Sequence, residues 1–173
     1  MHPRRLKGSP GNIARYYAIG DYYAKGEAER SSWGGALARE LDLSGDVDPE
    51  TFRSLLVGKV AGQQLGRHRA EGIEHHPGWD FAISAPKSVS VMALALGDER
   101  IVQLHERSVD VALAYLEEHA QLRKREAGNI VHETTGRLLW ARFTEHASRE
   151  LDPHLHTHVV VLNMTNGQSG DPM

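Results

Sequence analysis

The stretch LDPHLHTHVVVLN, residues 151–163, constrains the fold of this 173-residue chain more than any other. Strand alternation puts His154, His156 and His158 on one face, which continues through Val160 and Leu162. The apolar run after the histidines reads as a buried strand, with the imidazoles at the mouth of a core face. At about 3.3 Å per residue, His154 and His158 stand about 13 Å apart at their Cα atoms. Metal–nitrogen bonds near ~2.1 Å cannot gather all three rings at one ion without breaking the strand. An H-x-H pair completed by a ligand from elsewhere is the workable design.

The preceding β-rich run, RLLWARFTEH, carries Leu139, Ala141 and Phe143 on one face, and Glu145 is the next residue on it. His146 falls on the other face with Arg142 and Thr144. If the two strands pair as antiparallel neighbours, Glu145 has the correct facing to complete the site. The competing reading makes Glu145 the solvated end of a strand.

The remaining patterns predict an α+β fold with a mainly antiparallel central sheet and flanking helices. Residues 1–11 read as a loop or weak edge strand, and NIARYYAIGDYYAKG as a short helix interrupted at Gly20. GGALARELDL is a short amphipathic helix. In DVDPETFRSLLVG, Asp48 is the N-cap, Pro49 lies in the first turn and Gly58 is the stop. Residues 60–78 read as loop, WDFAISA as a strand, and PKSVSVMALAL as a helix that Ser84 could cap. The longest periodic segment starts at Asp98, with Ile101, Leu104, Val109, Leu113 and Leu116 as its apolar stripe. Arg123, Lys124 and Arg125 suit its C-terminal end, as a helix dipole prefers. NIVHET, GRLLWARFTEH and PHLHTHVVVLN are the β-rich runs that follow.

Composition narrows the function. The chain has no cysteine, which excludes thiolate ligands and disulfides and is compatible with the cytoplasm. No apolar run reaches the ~20 residues a membrane span needs, and the basic N-terminus has no apolar signal-peptide region. The net charge is −3, so any nucleic-acid site must be local, and Arg4, Arg5, Lys7 and Arg15 cluster at the N-terminus. Four of the five tyrosines form two doublets, Tyr16–Tyr17 and Tyr22–Tyr23. Aromatic doublets commonly pack, but a phenol beside a base or an electrophile is also a nucleophile.

With these residues in view, the chain resembles the conjugative relaxases of the TrwC/TraI type (MobF), within the HUH endonuclease superfamily. The match runs in order through YYAIGDYYAKG, LDLSGDVDPETFRSLLVG, GWDFAISAPKSVSVMALALGD, ETTGRLLWARF and SRELDPHLHTHVVVLNMT. The resemblance implies one relaxase (nickase) domain over residues 1–173, with the C-terminal part of that domain missing. It implies site- and strand-specific nicking of origin-of-transfer DNA through a covalent 5′-phosphotyrosine, in plasmid conjugation. Tyr16 becomes the main nucleophile and Tyr22 the second, with Tyr17 and Tyr23 as alternatives. Asp80 matches the acidic residue that orients a metal-ligating histidine and helps accept the tyrosyl proton. His156 and His158 become metal ligands, and His154 falls at a position that is polar in relatives and not a ligand. Relatives place a histidine where this chain has Glu145, so the third ligand is Glu145, or His146 if a bulge turns it inward.

A carboxylate there favours Mg²⁺ or Mn²⁺, while Zn²⁺ or Ni²⁺ also fits such a site. Expected partners are single-stranded and hairpin origin-of-transfer DNA, contacted by Arg4, Arg5, Lys7, Arg15 and Lys87, and the accessory and secretion machinery of conjugation. A cytoplasmic bacterial monomer with no membrane insertion is the expected form. Two rival readings remain: a non-catalytic single-stranded DNA-binding fragment, and a metal-dependent hydrolase that uses bound water.

Overall fold

The computed structural model describes residues 2–18, 30–70, 72–148 and 150–167. Its centre is a five-stranded sheet built from β1 (His2–Arg5), β2 (Arg30–Gly34), β7 (Gly78–Ser84), β10 (Trp140–Ala147) and β11 (Pro153–Leu162). Their spatial order is β1-β7-β11-β10-β2, and every neighbouring pair is antiparallel. The histidine strand is therefore central, and its two faces carry different cores. Val160 and Leu162 join Leu139, Ala141 and Phe143 under α1 (Pro10–Ala18), α2 (Ala36–Glu40) and α3 (Pro49–Leu56). Val159 and Val161 pack beneath α5 (Glu99–Glu118) against Val109 and Leu113. Period-2 alternation thus makes one strand serve both cores.

The helix signals at 48–58 work as read. Asp48 Oδ2 accepts the Thr51 N–H at 2.7 Å, and Gly58, at φ +81°, closes the helix. Helix α3 buries Phe52 and Leu56 completely, which fixes the floor on which α1 rests. Helix α5 begins at Asp98, whose carboxylate accepts the Arg100 N–H at 3.1 Å. A carboxylate late in that helix, Glu117 Oε1, accepts the N–H of Ala36 at 2.7 Å and of Leu138 at 3.0 Å. It pins the helix to backbone on both sides of the sheet edge.

Four details differ from the sequence expectation. Residues 60–78 are not all loop: they hold two short ribbons, β3 (Lys59–Val60) with β4 (Gln63–Gln64) and β5 (Arg67–Arg69) with β6 (Gly72–Glu74). Arg123, Lys124 and Arg125 do not end α5; they lie in β8 (Gln121–Glu126), paired with β9 (Asn129–Thr134). Ala127 and Gly128 both take positive φ (+47° and +87°), the left-handed pair that a tight two-residue hairpin needs. The buried stripe of α5 runs through His105, Val109 and Leu113, leaving Leu104 58% exposed. Ser84 ends β7 opposite His156, and the next helix, α4 (Lys87–Ser90), has Pro86 at its N-cap with no side-chain cap. That helix runs on into a π turn at Val91–Ala95.

Candidate metal centre

Glu145 lies directly opposite His156 in the β10–β11 ladder, and Phe143 lies opposite His158. The ligand atoms of Glu145, His156 and His158 all fall within 4.8 Å of one another. His154 is outside this group. Its ring stacks on that of His156 at 4.4 Å between centroids, so it serves as a lid on one ligand. The ladder does shift register between Glu145 and Ala147, where a bulge was the condition for bringing His146 inward. The bulge leaves Glu145 as the residue that faces His156, and His146 lies on the α5 side near His105, whose pKa is lowered first by burial and in smaller part by His156 and His146.

The hydrogen bonds behind the cluster set its tautomers. His158 Nδ1–H donates to Asp80 at 3.0 and 3.1 Å from the two carboxylate oxygens, which makes Nε2 the ring nitrogen that could ligate. Asp80 can do this because β7 pairs with β11 and its side chain is buried between them. His156 Nδ1–H donates to the His154 carbonyl at 2.9 Å, and its Nε2 faces Glu145 Oε2 at 3.1 Å. Burial works against a charge on His156, but the Glu145 carboxylate and the His154 carbonyl outweigh it and raise its pKa. Burial also penalises the Glu145 carboxylate, and the hydrogen bond from His156 overcomes that, lowering its pKa. Without a metal, both shifts favour an imidazolium–carboxylate pair.

A two-imidazole, one-carboxylate set with an outer Asp–His hydrogen bond fits a divalent ion. The sequence-wide comparison agrees with this geometry. The family model described as TrwC relaxase matches residues 10–172. The multifunctional conjugation protein TraI of Escherichia coli is 42% identical over 165 residues, covering 92% of this chain and 9% of TraI. The chain belongs to the TrwC relaxase family. The TraI of strain K12 is 41% identical over 169 residues, again with only 9% of its length covered. A conjugative relaxase TrwC in complex with oriT DNA, in a metal-bound structure, superposes with a TM-score of 0.85 at 40% identity. That match covers 99% of this chain and 59% of the solved one. TrwC complexed with a 27-mer DNA comprising the recognition hairpin and the cleavage site gives 0.82 at 39% identity, covering 99% and 58%.

Within this relaxase-family frame the other expected residues are spread unevenly. Tyr16 lies on α1, with its side chain outside the described residues, and Tyr22 and Tyr23 also fall outside them. Tyr17 is only 7% exposed: its ring stacks on Phe143 at 5.3 Å and meets His158 edge-on at 5.9 Å. That packing ties α1, and the Tyr16 backbone with it, to the face that bears the ligands. Arg4 and Arg5 are exposed on edge strand β1, where Arg4 pairs in register with Asp80. Arg5 and Lys7 line a cavity of about 1050 Å³ with Arg67, Trp79 and Arg123. Lys87 pairs with Asp152 at 3.3 Å. The Arg15 side chain is outside the described residues.

Sequence reasoning missed Ser90, in the APKSVS motif. Fully buried, its Oγ accepts the Leu155 N–H at 3.1 Å and so fixes the backbone one residue before His156. The motif itself was the signal.

Two expected results follow from the pairings. Asp80→Ala removes the carboxylate that accepts the His158 Nδ1–H and is expected to lower Mn²⁺ affinity by about 10–100-fold in calorimetry, as loss of an outer-shell partner does. The His156–Glu145 pair also makes stability depend on pH. Glu145, lowered from 4.5, contributes above that value and loses its contribution as pH falls through its folded pKa. His156, raised from 6.5, contributes below that value and loses its contribution as pH rises through its folded pKa. In metal-free thermal melts, Glu145→Gln therefore destabilises more near pH 6 than near pH 9.

Proposed function

We propose that this chain is the nicking domain of a conjugative DNA relaxase, cutting one strand of origin-of-transfer DNA by tyrosine transesterification. The observation that carries the reading is the convergence of Glu145, His156 and His158, backed by Asp80, beneath the helix that bears Tyr16. The chain spans only 9% of the length of the curated relatives it matches, so the reading concerns this domain alone.

Glu145, His156 and His158 would hold a divalent ion, with Mg²⁺ or Mn²⁺ favoured by the carboxylate. Such an ion, when bound, supplies Lewis-acid polarisation of the scissile phosphate and offsets the charge that grows on its oxygens. Asp80 holds the Nδ1 proton of His158, keeps that ring in its ligating tautomer, and is the carboxylate assigned to the tyrosyl proton. Tyr16 Oη attacks phosphorus in line; the P–O3′ bond breaks, leaving a 3′-OH and a 5′-phosphotyrosine. The phosphodiester is exchanged, not hydrolysed, so the strand can later be rejoined. Tyr22 or Tyr23 makes the second transfer, because the Tyr17 ring is committed to the core. Arg4, Arg5, Lys7, Arg15 and Lys87 contact DNA phosphates, a contribution that weakens steeply with added salt.

Among the described residues no helix is long and apolar enough to cross a membrane. We place the protein in the bacterial cytoplasm as a monomer that meets hairpin DNA, accessory proteins and the secretion machinery of conjugation. The deciding experiment incubates the chain with single-stranded oligonucleotides carrying its origin of transfer and Mn²⁺. An SDS-stable protein–DNA adduct is expected. Cleavage without an adduct would establish water as the nucleophile; binding without cleavage would establish a non-catalytic module.

A further inference from the structure

The layer between β11 and α5 is apolar except directly behind the ligands. There, His105 Nε2 of α5 lies 3.0 Å from the Thr157 hydroxyl, which lies 3.1 Å from the Thr144 hydroxyl. The three are nearly shut from solvent, at 8%, 1% and 7% exposure. Around them stand Val109, Leu113, Val159 and Val161. Buried hydroxyls in such a layer are costly unless paired, and valine would fill the threonine sites with no polar group to satisfy.

Their position in the chain gives them a second meaning. Thr157 is the residue between His156 and His158, and Thr144 is its cross-strand partner and the residue before Glu145. Every member of the ligand cluster is therefore covalently bonded to one of two threonines whose side chains point the opposite way. We infer that the His105–Thr157–Thr144 hydrogen-bond chain is a positioning device that fixes the tilt and register of β10 and β11, and so the geometry at which Glu145, His156 and His158 receive a metal ion. This inference rests on the metal reading proposed above.

Two physical features support it. A strand held only by its ladder can rock about its own axis, and a hydroxyl anchored from the reverse face opposes rocking of the two side chains that flank it. A paired polar network also selects one arrangement where an apolar layer would accept several. His105, Thr144 and Thr157 touch neither substrate nor ion; they act through the residues beside them.

The test is Mn²⁺ calorimetry on the whole chain, with thermal melting run in parallel. His105→Met fills the space and removes the hydrogen bond, and it should lower Mn²⁺ affinity about tenfold, the low end for outer-shell losses. His105→Gln, which restores a polar atom at similar reach, should recover most of that loss. Val109→Ala, on the same buried face of α5, should lower the melting temperature while leaving Mn²⁺ affinity unchanged. If His105→Met also melts lower with unchanged affinity, its role is packing alone and the inference is overturned. Equal affinity losses in His105→Met and Val109→Ala overturn it too, because any loosening of α5 would then suffice. Should Thr157→Val be too unstable to measure, Thr144→Val tests the far end of the chain by the same readout. A wild-type chain that takes up no Mn²⁺ fails the metal reading itself, and is told apart because no variant is needed to see it.

Discussion

Tyr16→Phe is expected to abolish the SDS-stable adduct with origin-of-transfer oligonucleotides while oligonucleotide binding in EDTA stays at the wild-type level. The change removes one oxygen and nothing else, so the ring keeps its volume and α1 keeps its contacts through Ile13, Ala14 and Tyr17. A phenol in water ionises near pH ~10 and needs help to react at neutrality, and under the proposed function that help would come from an ion held by the cluster at His156 and His158. Tyr17→Phe is the matched control. Its ring packs between Phe143 and Phe52, and loss of the hydroxyl should leave the adduct yield near normal. An adduct at full yield from Tyr16→Phe would transfer the nucleophile to another tyrosine.

The second large effect belongs to Glu145. Replacing it with alanine removes a ligand outright, so Mn²⁺ affinity should fall by more than the ~10–100-fold that an outer-shell partner costs. Glu145→His is the more telling change, because it installs the histidine that the resemblance to relaxases implies for this position. It should keep metal binding but move the preference away from Mg²⁺ and Mn²⁺ toward Zn²⁺, Ni²⁺ or Cu²⁺, which imidazole suits better. Competition calorimetry with paired ions reads that shift directly. Unchanged affinity in Glu145→Ala would remove the carboxylate from the shell.

The sequence made the ligand strand legible because its period is two and its geometry is rigid. Alternation and strand rise argued against a three-histidine site on β11, and with antiparallel pairing assumed they faced Glu145 toward His156, while a bulge kept His146 open as the alternative. Asp80 was different: nothing in its spacing marks it, and only the resemblance to relaxases singled it out before the β7–β11 ladder placed it beside His158. The reverse face stayed dark. His105 is 52 residues from Thr157, and no local pattern announces a contact across that separation. The same holds for Ser90, which reaches Leu155 across 65 residues. The hairpins at Ala61–Gly62 and Ala127–Gly128 were missed for a local reason. Alanine at a positive φ (+47° in both) replaces the asparagine or aspartate that usually signals such a turn. The basic run before the second hairpin then satisfied the rule for a helix end and was misread as one.

Strand β1 has only four residues, HPRR, yet among the described residues it is the one strand that covers the outer side of β7. Strand β7 reads GWDFAIS, with Phe81 and Ile83 packed toward the core beneath α5. An uncovered strand of that composition is a template for pairing with another chain. Proline and two arginines on β1 are poor partners for further strand addition, so the short cover also ends the sheet chemically. An expression variant trimmed of its first few residues would thus lose more than a basic tail. It would present an open edge, and aggregation of such a variant would report on sheet protection before it reported anything about DNA.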